Sequence, residues 1–253
     1  MGEQLKNPPL IEAVCEFTFS EIEWDWAIPG MLYDRVKVEF PNRKEVRGVG
    51  LEILSGTPEC AKPVFTSAPE RIQFLSEKGE TLVQIGQNKL SVNKKAPYQT
   101  WAEYTKSILS VYNVFSDIIG GFKLDRIGLR YINMMEINYG NSIKDFLVVF
   151  PSFPKPLEKS FAKFHQRYEI SYNMEEDGVD GILIHQTGIV SPVESPQENR
   201  LVLDLDFLNH NIADVRASFV SERINYIHEI VETAFVESLN PDFYLTLRDA
   251  GER

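Results

Sequence analysis

The stretch from Gln87 to Ile137, QNKLSVNKKAPYQTWAEYTKSILSVYNVFSDIIGGFKLDRIGLRYINMMEI, restricts the fold more than any other part of the chain. Trp101, Thr105, Ile108, Tyr112, Phe115 and Ile119 recur at alternating steps of four and three, so a helix here carries one continuous apolar stripe. Pro97 suits a first helical turn, where a missing N–H costs nothing, and Gly120-Gly121 supplies a left-handed exit. Beyond the glycines, Ile127, Leu129, Tyr131, Asn133, Met135 and Ile137 alternate along one face of a strand. The pattern predicts a long helix lying on a sheet, with Trp101 and Phe115 buried beneath it. It specifies a fold and little chemistry.

The rest of the chain extends this pattern. Leu10–Ser20 alternates as a strand, and Pro29-Gly30 opens a helix over Met31–Phe40. A strand at Val46–Leu54, a turn-rich loop with Gly56, Pro58 and Pro63, and a hairpin of Arg71–Ser76 with Thr81–Gln87 follow. Lys89–Asn93 then leads into the long helix, and Leu124–Asn138 is the strand after it. The same order recurs: a short apolar segment at Ile143–Phe150 broken by Pro151, Pro154 and Pro156, then strands at Phe161–Asn173, Gly181–Val190 and Leu201–Leu208. A proline-containing loop, Ser191–Asn199, precedes the last of these strands, and a helix over Ile212–Leu239 closes the series. Its stripe is Val215, Phe219, Ile224, Ile227, Val231, Ala234 and Phe235. The expected fold is α+β, with two similar halves, residues 1–123 and 124–253. Each is an antiparallel meander packed on a long amphipathic helix, and the two are tightly associated, as in one continuous domain.

Charge narrows the function. Lys and Arg number 26 against 37 Asp and Glu, a net charge of −11. A surface of that sign repels phosphate backbones and anionic lipids and suits a basic protein partner. No run approaches the ~20 apolar residues of a membrane-spanning helix, and the N-terminus has no basic-then-apolar leader pattern, so a cytoplasmic location is expected. The two cysteines, Cys15 and Cys60, show neither CxxC nor Cys/His spacing, so neither a zinc site nor a disulfide is expected.

Three segments carry a resemblance: NPPLIEAVCEF (Asn7 to Phe17), QNKLSVN (Gln87 to Asn93) and RIGLRYIN (Arg126 to Asn133), with HEIVETAFVESL (His228 to Leu239) a fourth. In these the chain resembles a sporadically distributed family of bacterial and archaeal proteins of similar length. The resemblance implies no reaction and no catalytic residues. The family's patchy distribution implies horizontal transfer, which fits defence or toxin–antitoxin neighbourhoods.

Few residues offer chemistry. Arg126 and Arg130, four apart on a strand with Gly128 between them, share a face; two guanidiniums there can grip a carboxylate or phosphate, or pair with acidic residues of adjacent strands. They are the candidate ligand-binding residues. Asp204 and Asp206 also share a face, which reads as the solvent side of an amphipathic strand. His228-Glu229-Ile230-Val231-Glu232 lacks the second histidine of a zincin helix. His165 and His185 read as ordinary sheet residues, and Lys89, Lys94 and Lys95 as a solvated strand edge. Gly48-Val49-Gly50 and Gly120-Gly121 lack the context of a phosphate loop. No catalytic residue, metal ligand or cofactor site is expected. The sequence therefore points to a non-enzymatic binding protein, the regulatory or neutralising member of a defence-type pair, and is compatible with a homodimer. The alternative is a small anionic-ligand binder or hydrolase with a pocket between sheet and helix.

Overall fold

The computed structural model describes residues 5–53, 63–98, 100–137, 142–150, 164–190 and 199–249; for 47–53 and 63–70 the description is of the backbone. Cys60, Gly56, Pro58, the three prolines at Pro151, Pro154 and Pro156, and the loop 191–198 lie outside the described residues. The elements run β1 (Leu10–Ser20), α1 (Ala27–Val36), β2 (Asn42–Ile53), β3 (Pro63–Leu75), β4 (Thr81–Gly86), β5 (Lys89–Lys95), α2 (Trp101–Ile119) and β6 (Lys123–Ile137). There follow β7 (His165–Tyr172), α3 (Met174–Asp177), β8 (Gly181–Val190), β9 (Asn199–His210), α4 (Ala217–Ser238) and α5 (Pro241–Asp249). The fold is α+β. The nine strands among the described residues form one antiparallel sheet in the order β2-β3-β4-β5-β1-β6-β9-β8-β7.

β1 and β6 meet at the centre. Outward from that seam the chain runs β1, β5, β4, β3, β2 on one side and β6, β9, β8, β7 on the other. Their register sets Cys15 opposite Leu129 and Phe17 opposite Ile127, with Ala13, Cys15, Phe17, Ile127 and Leu129 fully buried. Period-two alternation sends these side chains to the face on which α2 and α4 lie, and polar ones to the other. The core is continuous across the seam. Phe207 of β9 and Phe74 of β3 belong to the same buried cluster.

The long helices differ from expectation at their starts. α2 begins at Trp101, capped by Thr100, whose Oγ1 accepts from Glu103 N–H (3.2 Å) and donates to its carboxylate (3.0 Å). Pro97 thus lies outside the helix, after a cis peptide bond from Ala96. Gly120 ends α2 at φ 77°, as its sequence position predicts. The buried face of α2 is Tyr104, Ile108, Val111, Tyr112 and Phe115. Phe115 is fully buried, stacked 4.6 Å from Phe19 of β1. Trp101 is not under the sheet. It faces α4, stacked on His228 at 4.0 Å, and its Nε1 donates to Asn225 Oδ1 (2.7 Å). Tyr104, one turn on, enters the core instead and donates to the Val92 carbonyl (2.7 Å).

α1 starts at Ala27 rather than Met31, with Pro29 in its first turn, where its lack of an N–H is harmless. α4 begins at Ala217, so Val220 and not Phe219 leads its buried face, followed by Ile224, Ile227, Val231 and Phe235. The segment at Ile143–Phe150 is a single 3-10 turn, Ile143–Asp145, and a bridge from Leu147 to Leu239. α5 has no counterpart in the sequence reading. It is anchored by the buried Leu247, whose carbonyl accepts from Asn7 N–H (3.2 Å).

Phe115→Ala removes a fully enclosed ring at the α2–β1 contact. Urea denaturation should show a loss of about 3–5 kcal/mol with the slope unchanged. An unaltered midpoint would mean that α2 is wrongly phased.

Candidate functional site

β5, β1 and β6 are adjacent at the centre of the sheet. Alternate residues of these strands and of the neighbouring β4 build a polar network on the face away from α2 and α4. Gln84 donates to Asn93 Oδ1 (3.1 Å), Ser91 donates to the same oxygen (3.0 Å), and Asn93 Nδ2 donates to Glu12 Oε1 (2.8 Å). Ser91, Asn93 and Asp204 are buried within this face.

Arg126 and Arg130 share it. Arg126 forms an ion pair with Glu16 of β1, which also accepts from Lys89 (3.5 Å). Arg130 grips Asp204 with two parallel bonds, Nε to Oδ1 (2.8 Å) and Nη2 to Oδ2 (2.6 Å). That is the bidentate geometry in which a planar guanidinium binds best. Both guanidiniums are thus engaged by carboxylates of neighbouring strands. Two polar atoms here are buried without a hydrogen-bond partner, Arg126 Nε and Thr18 Oγ1.

Asp204 and Asp206 share the face, as their spacing predicts, but it is not the solvent side expected: Asp204 is buried, and the two stand in different environments. Asp204 is clamped by Arg130 and accepts a longer bond from Gln186 (3.4 Å). Asp206 stands opposite Arg130 and Ile184. Burial pushes its carboxyl up to about 6, against the pull of Arg130 and with a further push from Asp204.

The remaining candidates are separated. His228 packs between α2, α4 and β6: its Nδ1 meets the Tyr131 hydroxyl at 2.8 Å, and its Nε2 lies 3.9 Å from Glu232. Burial lowers it to about 4 and holds Tyr131 well above its usual value, so the phenol donates to a neutral imidazole. His165 and His185 face opposite sides of the sheet, His165 opposite Gly188 and His185 opposite Tyr168. Lys94 pairs with Glu80 (3.6 Å). Cys15 is a buried thiol in the core. No group of three or more His, Cys, Asp or Glu side chains converges on a metal-sized position among the described residues. No described helix is long and apolar enough to cross a membrane.

Periodicity gives no hint of a concavity on the helix side. A groove of about 470 Å³ lies between α4 and the outer strands β7 and β8. Leu183, Ile230 and Ala234 give it an apolar lining, with Ile170, Tyr172 and Tyr226 at the same wall. Among the described residues its charged lining is Glu229 and Glu237, with neither Lys nor Arg. His185, also lining it, is held low by burial. His185 Nε2 meets Ser238 Oγ at 2.9 Å, and that hydroxyl in turn donates to the Ala234 carbonyl (2.6 Å). The Ser238 proton is therefore committed to the helix backbone, and the imidazole is the donor to the hydroxyl. The pair is a structural tie and not an activated nucleophile.

No family model matches the chain, and no curated protein matches it.

Two measurements test the polar face. The folded state holds the Asp206 carboxyl protonated to a higher pH than the unfolded chain does, so this group costs stability above about pH 6, and the cost fades as pH falls towards 4. Asp206→Asn should be more stable than wild type at pH 7 by about 1–2 kcal/mol, with the difference gone near pH 4. A difference independent of pH would show that Asp206 does not titrate in this way. Arg130→Lys keeps the charge but loses the fork, and should cost about 1 kcal/mol in thermal melts. Phosphate should shift neither melt. Stabilisation of the wild type that the variant lacks would instead mark Arg130 as an anion anchor.

Proposed function

We propose that this protein is a binding protein that takes a basic, amphipathic segment of a protein partner into the groove between α4 and β7–β8. The observation that carries this reading is the groove's composition: an apolar lining whose charged members, among the described residues, are the carboxylates Glu229 and Glu237. An apolar groove with acidic charge fits a segment with apolar residues on one side and Lys or Arg on the other. The net charge of −11 favours the same partner through long-range attraction. The resemblance of β1, β5 and β6 to the sporadically distributed family adds a setting, a defence or toxin–antitoxin pair in which this chain is the regulatory or neutralising member.

We read the fold as two similar halves. β1 through α2 and β6 through α4 each run a set of strands and then a long helix, and the order outward from the seam supports that reading. In it, the groove belongs to the second half. The alternative, a small anionic ligand held by Arg126 and Arg130, has less support, since both guanidiniums are engaged by carboxylates and stand on the face away from the groove.

A photoreactive side chain placed at Thr233, within the groove, should cross-link in native-host extract to one partner through a segment rich in Lys or Arg. Glu229→Lys with Glu237→Lys should abolish that adduct while leaving the melting temperature within a few degrees. An adduct that survives the double reversal, or none from Thr233 at any extract concentration, would overturn the reading.

A further inference from the structure

β7 ends the sheet, and among the described residues nothing pairs with its outer edge. The Phe164 carbonyl accepts from Ile189 N–H (3.1 Å), so the antiparallel alternation turns the backbone groups of His165, Arg167, Glu169 and Ser171 outwards. No hydrogen-bond partner meets those groups among the described residues. Three common protections of an edge are absent from β7. β7 contains neither lysine nor proline, and its register with β8 has no bulge. The opposite edge differs: β2 carries Arg43, Lys44 and Arg47, and its pairing with β3 shifts register between Val46 and Arg47. On β7 the helix-side face exposes Tyr168 (47%) and Ile170 (46%), large side chains on an edge strand.

The charges of β7 are self-complementary. Arg167 and Glu169 flank Tyr168 and at present satisfy each other along the strand, with Arg167 Nη2 to Glu169 Oε1 at 2.7 Å and both side chains largely in solvent. In an antiparallel pairing of two β7 strands centred on Tyr168, residue numbers opposite one another sum to the same value. Arg167 of each copy then falls opposite Glu169 of the other, and Tyr168 falls opposite Tyr168. The same register makes Arg167 with Glu169, and His165 with Ser171, the hydrogen-bonded pairs, which are the positions whose backbone groups point outwards. Registers one pairing step away, centred on Arg167 or Glu169, set like charges directly opposite.

We infer that β7 is a homodimer edge: two copies join antiparallel through β7, centred on Tyr168, into one sheet that runs through both. The two-fold axis stands perpendicular to the sheet, so both helix layers lie on the same side. The two apolar grooves then flank the new seam. This inference rests on the edge strand and not on what fills the groove. Failure of the Thr233 cross-link would leave it untouched.

Light scattering of the full chain by size-exclusion chromatography at tens of micromolar should give twice the chain mass. Arg167→Glu sets carboxylates opposite each other at two places and should weaken self-association roughly tenfold or more at low salt. Glu169→Arg should do the same, and Arg167→Glu with Glu169→Arg together should restore the dimer. Glu169→Pro removes an outward N–H that the monomer does not use, so it should yield a folded monomer by circular dichroism. A wild type of single-chain mass at 100 µM, as an order-of-magnitude upper working concentration, overturns the inference. So does a dimer indifferent to the charge swaps and to Glu169→Pro, since that dimer uses another surface.

Discussion

The pairing of β1 with β6 is the contact on which the rest depends. It joins segments separated by more than a hundred residues, from Ser20 opposite Lys123 to Leu10 opposite Asn133. Alternate residues of both strands are fully buried, so the seam lies in the middle of the core and not at a boundary between units. Everything else is arranged outward from it. β5 and β9 attach on either side, α2 covers one flank and α4 the other, and Tyr112 of α2 reaches across to the Val215 carbonyl (2.7 Å). Had β6 slipped by one residue against β1, Ile127 and Leu129 would exchange faces with Arg126 and Arg130. The same alternation that buries the apolar set therefore builds the charged network behind it.

This explains why the motifs of the chain are informative about architecture and quiet about chemistry. In RIGLRYIN, Ile127, Leu129, Tyr131 and Asn133 supply one face of β6, while Arg126 and Arg130 are held by Glu16 and Asp204 on the other. A guanidinium already bonded to a carboxylate at two points offers little to a ligand, and the pair is worth more as a device that fixes strand register than as raw stability. Breaking it would leave Asp204 buried and unpaired beside Asp206, whose own carboxyl is already pushed up by burial.

The strands were the legible part. β1, β8 and β6 follow from period-two alternation within a residue or so of their observed ends, because each has one face in the core. The first turn of α2 was not legible. The stripe through Trp101 and Phe115 is real in sequence, but α4 lies alongside and draws Trp101 towards His228, a contact between residues 127 apart that no local pattern encodes. α5 escaped notice because its burial rests on few residues, chiefly Leu247. Arg126 and Arg130 were found as a pair by their spacing, whereas their partners Glu16 and Asp204 could be named only once β1 and β9 were seen on either side of β6. The groove was invisible for a related reason. Its walls come from β7, β8 and α4, and the residues that matter there, Glu229, Thr233 and Glu237, read in sequence as the solvated side of a helix.

The stack of Trp101 on His228 has a spectroscopic consequence. An indole lying flat against an imidazole at 4.0 Å, with its Nε1 bonded to Asn225, is held in an environment that exists only while α2 and α4 are docked. Of the three tryptophans, Trp24 and Trp26 contact each other near the start of α1, so Trp101 alone reports on the junction between the two long helices. Its emission is an internal gauge of that junction, readable without a label.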